Sequence, residues 1–314
     1  MKAITLGEDG LRFQTTFPEP TDSPGETRVK VLQAGICETD LQLARGYMQF
    51  RGGLGHEFVG IAENGPWEGK RVVGEINCNC QNCPTCARGR PTHCPNRTVV
   101  GIDRHDGAFA QWVTIPDHNL HAVPDQVTND QAVLTEPLAA AFQILQQVTV
   151  AGTDRVAILG DGRLGLLSAQ VIASVTEHLT VFGKHGPKLL RFGHLGIETV
   201  QLPSAGVDEH EVPLHAFDVV VDCTGSASGL SMAMNMVRPR GTVVMKTTVA
   251  DQHTLSLAPL VVNEINVLGS RCGPFDKALD AIAIGHVNVD DLITDRFTLD
   301  QAEQAFETAR NPNS

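Results

Sequence analysis

Arg155-Val156-Ala157-Ile158-Leu159-Gly160-Asp161-Gly162-Arg163-Leu164-Gly165-Leu166 is the stretch on which the fold of this chain turns. Val156 to Leu159 is a short apolar run of the kind buried on both faces of a parallel sheet. Gly160-x-Gly162-x-x-Gly165 follows at once and leads into a helical stretch at 166–173. Three glycines at this spacing say little alone. Between a strand and a helix they aim backbone N–H groups at a pyrophosphate. The first glycine permits the tight turn, the second lets phosphate approach, and the third lets helix pack on strand. Gly160, Gly162, Arg163, Leu164 and Gly165 are therefore candidate cofactor-binding residues. A plain structural turn is the alternative.

Strand-like runs recur at 179–182, 199–202, 218–222 and 241–245, separated by helix-like segments. That alternation predicts an α/β doubly wound parallel sheet. The second strand sets the nucleotide. An NAD site usually places Asp or Glu about 20 residues past the glycines to hold the ribose 2′-hydroxyl. Here the strand ends Val181-Phe182-Gly183-Lys184-His185, with no acid. Gly183 makes room and Lys184, followed by His185, can neutralise a 2′-phosphate. NADP(H) is thus expected over NAD(H), unless Lys184 and His185 form only a solvated turn.

Upstream the texture differs. Runs at 28–32, 58–62 and 110–115 are short alternating strands broken by Gly and Pro, which suggests a partly open β-barrel or sandwich. The change comes near Glu136-Pro137, where Pro at a first helical position starts a helix. Another change comes near Glu264, followed by helical patterns at 275–284 and 301–309. The expected division is residues 1–137, completed by 268–314, and residues 138–267.

Two groups of residues carry metal chemistry. Cys80-x2-Cys83-x2-Cys86-x7-Cys94 puts four thiols within fifteen residues, half of the chain's 8 cysteines. Thiolates so spaced can close a tetrahedron around one structural zinc; redox-active or merely packed thiols are the alternative. Such a site has no open position, so chemistry needs other residues. Cys37 ends a strand-like run within Gly35-Ile36-Cys37-Glu38-Thr39-Asp40, His56-Glu57 precedes another, and Glu136 opens the helix. One thiolate, one imidazole and one or two carboxylates suit an open, mixed-ligand zinc site. Individually each residue is bland, and a lone Cys is most often a small hydrophobe.

Composition narrows the partners. The chain has 314 residues, a net charge of −12, 2 Trp and 1 Tyr. Acidic balance and scarce aromatics argue against nucleic acid, including the reading of the cysteine run as a nucleic-acid-binding zinc ribbon. No window approaches a membrane span, and Met1 to Gly10 does not read as a secretory signal. Zinc-spaced thiols with no export signal lead us to expect the cytoplasm.

In order, Gly35-Ile36-Cys37-x-Thr39-Asp40, Gly55-His56-Glu57, the four-cysteine run, Glu136-Pro137-Leu138-Ala139 and the Gly162 turn resemble the zinc-dependent medium-chain alcohol dehydrogenases, nearest the sorbitol and threonine dehydrogenase branch. The resemblance spans nearly the whole chain. It implies a GroES-like β-barrel catalytic domain beside a Rossmann domain, two zinc ions, and a homodimer or homotetramer. It implies that Cys37, His56, Glu57 and Glu136 serve the catalytic zinc and that Thr39 takes the substrate's proton. Asp40 would orient the histidine, while Cys80, Cys83, Cys86 and Cys94 would hold the structural zinc. The reaction implied is hydride transfer between a secondary alcohol, or a polyol or sugar-type hydroxyl, and NADP(H). Departures are Glu38, where relatives often carry Gly, His or Arg, and Gln42, where many place a histidine. A zinc-independent quinone or enone reductase on the same scaffold is the rival.

Overall fold

The computed structural model describes residues 1–203, 212–248 and 254–311. The chain divides into two compact units, Met1–Glu136 with Phe275–Ser314, and Pro137–Pro274. Short alternating strands build the first. β1 (Ala3–Gly7), β2 (Gly10–Gln14) and β4 (Gly52–Gly53) form a three-stranded sheet. β3 (Glu26–Gly35), β5 (Glu57–Ala62), β6 (Arg71–Gly74), β10 (Trp112–Pro116) and β11 (Leu120–Ala122) form an antiparallel sheet in the order β10-β3-β5-β6-β11. β7 (Asn77–Cys78), β8 (Thr98–Val100) and β9 (Arg104–His105) make a small sheet next to the cysteine run in sequence.

Register places the site. β3 and β5 slip between Val31 and Gln33, after which Gly35 stands opposite Glu57. An extra residue on one strand of this kind bends it and re-aims the side chains beyond. Cys37 lies two positions past the end of β3 and His56 one before β5, so the slipped pairing brings them together. Cys37 is the N-cap of α1 (Glu38–Ala44), while α2 (Pro84–Ala87) lies within the cysteine run and α3 (Asn129–Ala132) follows β11. Leu41 and Leu43 of α1 are buried with Ile4, Leu6, Phe50, Leu54 and Phe109.

The second unit holds a six-stranded parallel sheet: β12 (Val156–Leu159), β13 (Leu179–Gly183), β14 (Glu198–Gln201), β15 (Phe217–Asp222), β16 (Val237–Met245) and β17 (Asn266–Gly269). Its order is β14-β13-β12-β15-β16-β17, which is the 3-2-1-4-5-6 order of dinucleotide-binding folds. β12 is central and fully buried, as its unbroken apolar run requires. The connecting helices are α5 (Arg163–Ala173), α6 (Gly186–His194), α7 (Ser228–Met236) and α8 (Ala258–Val262), preceded by α4 (Thr135–Gln147). Phe182 and Phe217 meet edge-on at 5.8 Å within the core that also takes in Met234, Met236 and Val243. One element starts earlier than expected. α5 begins at Arg163 rather than 166, because Gly162 is the N-cap and the glycine motif itself forms the first turn.

After β17 the chain returns to the first unit through α9 (Phe275–Ala283) and α10 (Ala302–Ala309). Phe306 of α10 is 1% exposed and packs edge-on against Phe109 at 6.0 Å. Emptying such an aromatic site costs about 3–5 kcal/mol, so this tail is part of the core. Among the described residues, no helix is long and apolar enough to cross a membrane.

Candidate active site

The Cys37 thiol, a His56 ring nitrogen and a Glu57 carboxylate oxygen all lie within 4.8 Å of one another. His56 is 3% exposed and Glu57 0%. Asp40, also 0% exposed, ties this group together. Its Oδ2 accepts the Cys37 backbone N–H at 2.8 Å, and its Oδ1 stands 3.3 Å from His56 Nδ1. Nδ1 is thereby directed to the carboxylate, leaving Nε2 as the ring's ligand atom. Burial works to lower the His56 pKa, but the Asp40 carboxylate and the Cys37 thiol outweigh it and hold it well above the usual histidine value. A soft thiol, an imidazole and a buried carboxylate converging on one point form a donor set that fits zinc.

Thr39 Oγ1 is 3.7 Å from Cys37 Sγ, in the first turn of α1. Gln42 Nε2 donates to Glu38 Oε1 at 2.7 Å, so the two departures noted above pair with each other on that helix. Glu136, half-buried at the start of α4, is not one of the trio that shares the 4.8 Å neighbourhood.

Cys80, Cys83, Cys86 and Cys94 also converge within 4.8 Å. Sγ separations are 3.5 Å for Cys83–Cys86, 3.8 Å for Cys83–Cys94 and 3.4 Å for Cys80–Cys94. A zinc–sulfur bond of about 2.3 Å gives a tetrahedron with edges of about 3.8 Å, whereas a disulfide would need about 2.05 Å. The thiols are unbridged and spaced for a metal. The backbone N–H of Asn82 lowers the Cys80 pKa to about 6, and that of Cys86 lowers Cys83. Both favour the thiolate that a metal needs. Cys78 stays apart, its thiol pushed up to about 12 by burial and directed to the Ile76 carbonyl.

In the second unit the three glycines divide the work. Gly160 has φ +114°, and a Cβ there would stand 2.6 Å from the Cys223 carbonyl oxygen. A Cβ on Gly165 would stand 2.1 Å from the Gly160 carbonyl oxygen. A Cβ on Gly162 would meet nothing within 4 Å, which leaves open space at the start of α5. Arg163 and Leu164 follow in its first turn. Beyond β13, Lys184 is exposed and His185 is the N-cap of α6.

Two acids were not singled out by the sequence reading. The room expected beside Gly183 is taken by Asp161, whose Oδ2 would lie 2.5 Å from a Cβ built there. Asp161 lies inside the glycine motif at a position that the motif leaves open, so the sequence carries no local sign of this contact. Asp222, fully buried at the end of β15, accepts at Oδ1 from Thr224 N–H (2.9 Å), Thr224 Oγ1 (2.8 Å) and Thr247 Oγ1 (3.0 Å). Its signal was a charge closing the apolar run Val219-Val220-Val221.

Residues 23–125 match the alcohol dehydrogenase GroES-like domain and residues 129–312 the glucose dehydrogenase C-terminus. The chain is 27% identical to the sorbitol dehydrogenase of Halalkalibacterium halodurans, over 99% of this chain and 96% of that one. Among solved structures it is 29% identical to a candidate zinc-binding dehydrogenase of Sinorhizobium meliloti 1021 bound to NADP, with a TM-score of 0.85 over 99% of this chain and 95% of the other. The fold is also shared with an alcohol dehydrogenase of Escherichia coli CFT073 complexed with NADH, 24% identical, TM-score 0.88, covering 99% and 96% of the two chains. Matches to both halves of one enzyme architecture leave a single assignment: this chain belongs to the zinc-type medium-chain alcohol dehydrogenase family, and it is an oxidoreductase acting on CH–OH groups.

Proposed function

We propose that this protein is a zinc-dependent dehydrogenase that moves a hydride between a secondary alcohol, or a polyol or sugar-type hydroxyl, and NADP(H). The observation that carries the reading is the Cys37–His56–Glu57 trio, a half-buried thiol with a buried imidazole and a buried carboxylate, and Asp40 beside them. Cys37, His56 and Glu57 would hold the catalytic zinc, with Glu136 as a further carboxylate ligand. Bound there, zinc would supply Lewis acidity, which lowers the pKa of a hydroxyl it holds.

The protein's own groups do the rest. Asp40 fixes the His56 tautomer and adds basicity to the ligating nitrogen. Thr39 Oγ1 receives the substrate's proton and passes it to water. Glu57 would be an exchangeable ligand, a carboxylate that can trade places with water. Gly160, Gly162 and Gly165 shape the turn that takes a pyrophosphate, with Arg163 and Leu164 at its helix end. Lys184, with His185 next to it, would neutralise the 2′-phosphate of NADP. Cys80, Cys83, Cys86 and Cys94 hold a structural zinc, giving two ions per chain. Zinc-spaced free thiols suit the reducing cytoplasm, and by the family resemblance we also read the protein as a homodimer or homotetramer with small-molecule substrates.

The test is a panel of polyols, sugars, threonine and simple alcohols with NADP or NAD, followed at the reduced-nicotinamide absorbance. Turnover on at least one hydroxyl substrate, lost on zinc removal and restored by zinc, is the expected outcome. Turnover that survives complete zinc removal, or reduction of quinones and enones alone, would contradict the proposal.

A further inference from the structure

We infer that Asp161 is a specificity-determining residue of the dinucleotide site, opposing Lys184 in the choice between NADP and NAD. The inference rests on the dinucleotide reading above and deepens it. Gly183 ends β13, where dinucleotide-binding folds keep the acid that holds the ribose 2′-hydroxyl. No side chain comes from Gly183, but a carboxylate is there all the same. A Cβ built on Gly183 would lie 2.5 Å from Asp161 Oδ2 and 2.8 Å from its Cγ. That oxygen sits about as far from the virtual Cβ as a carboxylate oxygen sits from its own Cβ within an aspartate. Asp161 thus delivers, from across the glycine turn, the group that the strand end lacks.

The carboxylate is held firmly and is well shielded. Its side chain is 9% exposed. Oδ2 accepts the His185 backbone N–H at 2.6 Å, and His185 Nδ1 lies 3.0 Å from Oδ1 and 3.1 Å from Oδ2. Two carboxylate oxygens offer about four lone-pair sites, so these contacts leave capacity for a hydroxyl donor. Next to it Lys184 is exposed. Two opposite charges therefore attend one ribose substituent. Asp161 accepts a hydrogen bond from a 2′-hydroxyl and repels a 2′-phosphate, while Lys184 attracts the phosphate. The preference for NADP expected from Lys184 and His185 is tempered by Asp161.

A purely structural role is the competing account. Asp161 sits at the positive end of α6 and accepts its N-cap N–H, which alone would stabilise that helix. The two roles differ in what they do to a ratio. Titrating NADP+ and NAD+ into the intact protein, Asp161→Asn is expected to tighten NADP+ and weaken NAD+, raising the preference for NADP+ by about tenfold or more. Lys184→Ala is expected to move the same ratio the other way. Wild-type protein supplies a test that needs no variant: 2′-deoxy-NAD+ should bind about tenfold more weakly than NAD+, because its hydroxyl donor is gone. Equal weakening of both dinucleotides in Asp161→Asn, or equal affinity for NAD+ and its 2′-deoxy form, overturns the inference. Wild-type protein that binds neither dinucleotide overturns the underlying reading, a failure distinct from an unmoved ratio.

Discussion

Asp40 Oδ1 stands 3.3 Å from His56 Nδ1, both groups buried, while the other Asp40 oxygen caps the Cys37 backbone N–H. One carboxylate thus orients two members of the Cys37–His56–Glu57 trio. Asp40→Asn keeps an acceptor for Cys37 N–H but removes the charge facing His56. We expect it to weaken the zinc at this site about 10–100-fold. Competition with a chelator should strip one ion per chain before the other, and turnover should fall with it. Unchanged chelator sensitivity of both ions would contradict the role.

Gly162 and Gly165 should separate binding from folding. The space around Gly162 is open and its φ of −80° suits any residue, so Gly162→Ala should melt like wild type yet bind NADP+ about tenfold or more weakly. Gly165→Ala puts a methyl group 2.1 Å from a backbone oxygen and should cost about 1–3 kcal/mol or more of stability. Thermal melts and dinucleotide titrations on the same two variants check both halves.

Removing a structural zinc ligand should act on stability first. Cys83→Ser leaves three thiols and should lower the melting temperature by at least about 5 °C with loss of one zinc per chain. Wild-type melting and zinc content in this variant would remove the structural-zinc assignment.

Acid stability should report on Asp130. Its carboxyl is held below the usual range by Gln33 Nε2, which donates at 2.7 Å, and by Arg296. A folded pKa below the unfolded value near 3.9 stabilises the fold at higher pH, and the contribution is lost as pH falls through the folded value. Asp130 is 46% exposed, so screening limits the effect to at most about 1 kcal/mol. In urea melts, Asp130→Asn should be less stable than wild type at pH 6, with the gap closing below about pH 4. A gap that widens in acid would reverse the sign.

Local chemistry made the fold legible. β12, its glycine turn and the alternation after it announce a parallel sheet because an apolar run and a turn are each read from neighbouring residues. The long-range features were not visible. Asp161 reaches Gly183 between turns that follow two adjacent strands, and the β3–β5 slip that sets Cys37 beside His56 is a register between strands distant in sequence. The ligand types could be named from the sequence, but the geometry joining Cys37, His56 and Glu57 required the paired strands, and Glu136 lies outside that group.

Zinc counting on wild type and His56→Ala tests the account most directly. Elemental analysis should find two ions per chain in wild type and one in the variant, which should bind NADP+ normally and show no turnover on the wild type's best substrate. A variant that keeps both ions, or that turns over at a near wild-type rate, would contradict a zinc held by Cys37, His56 and Glu57.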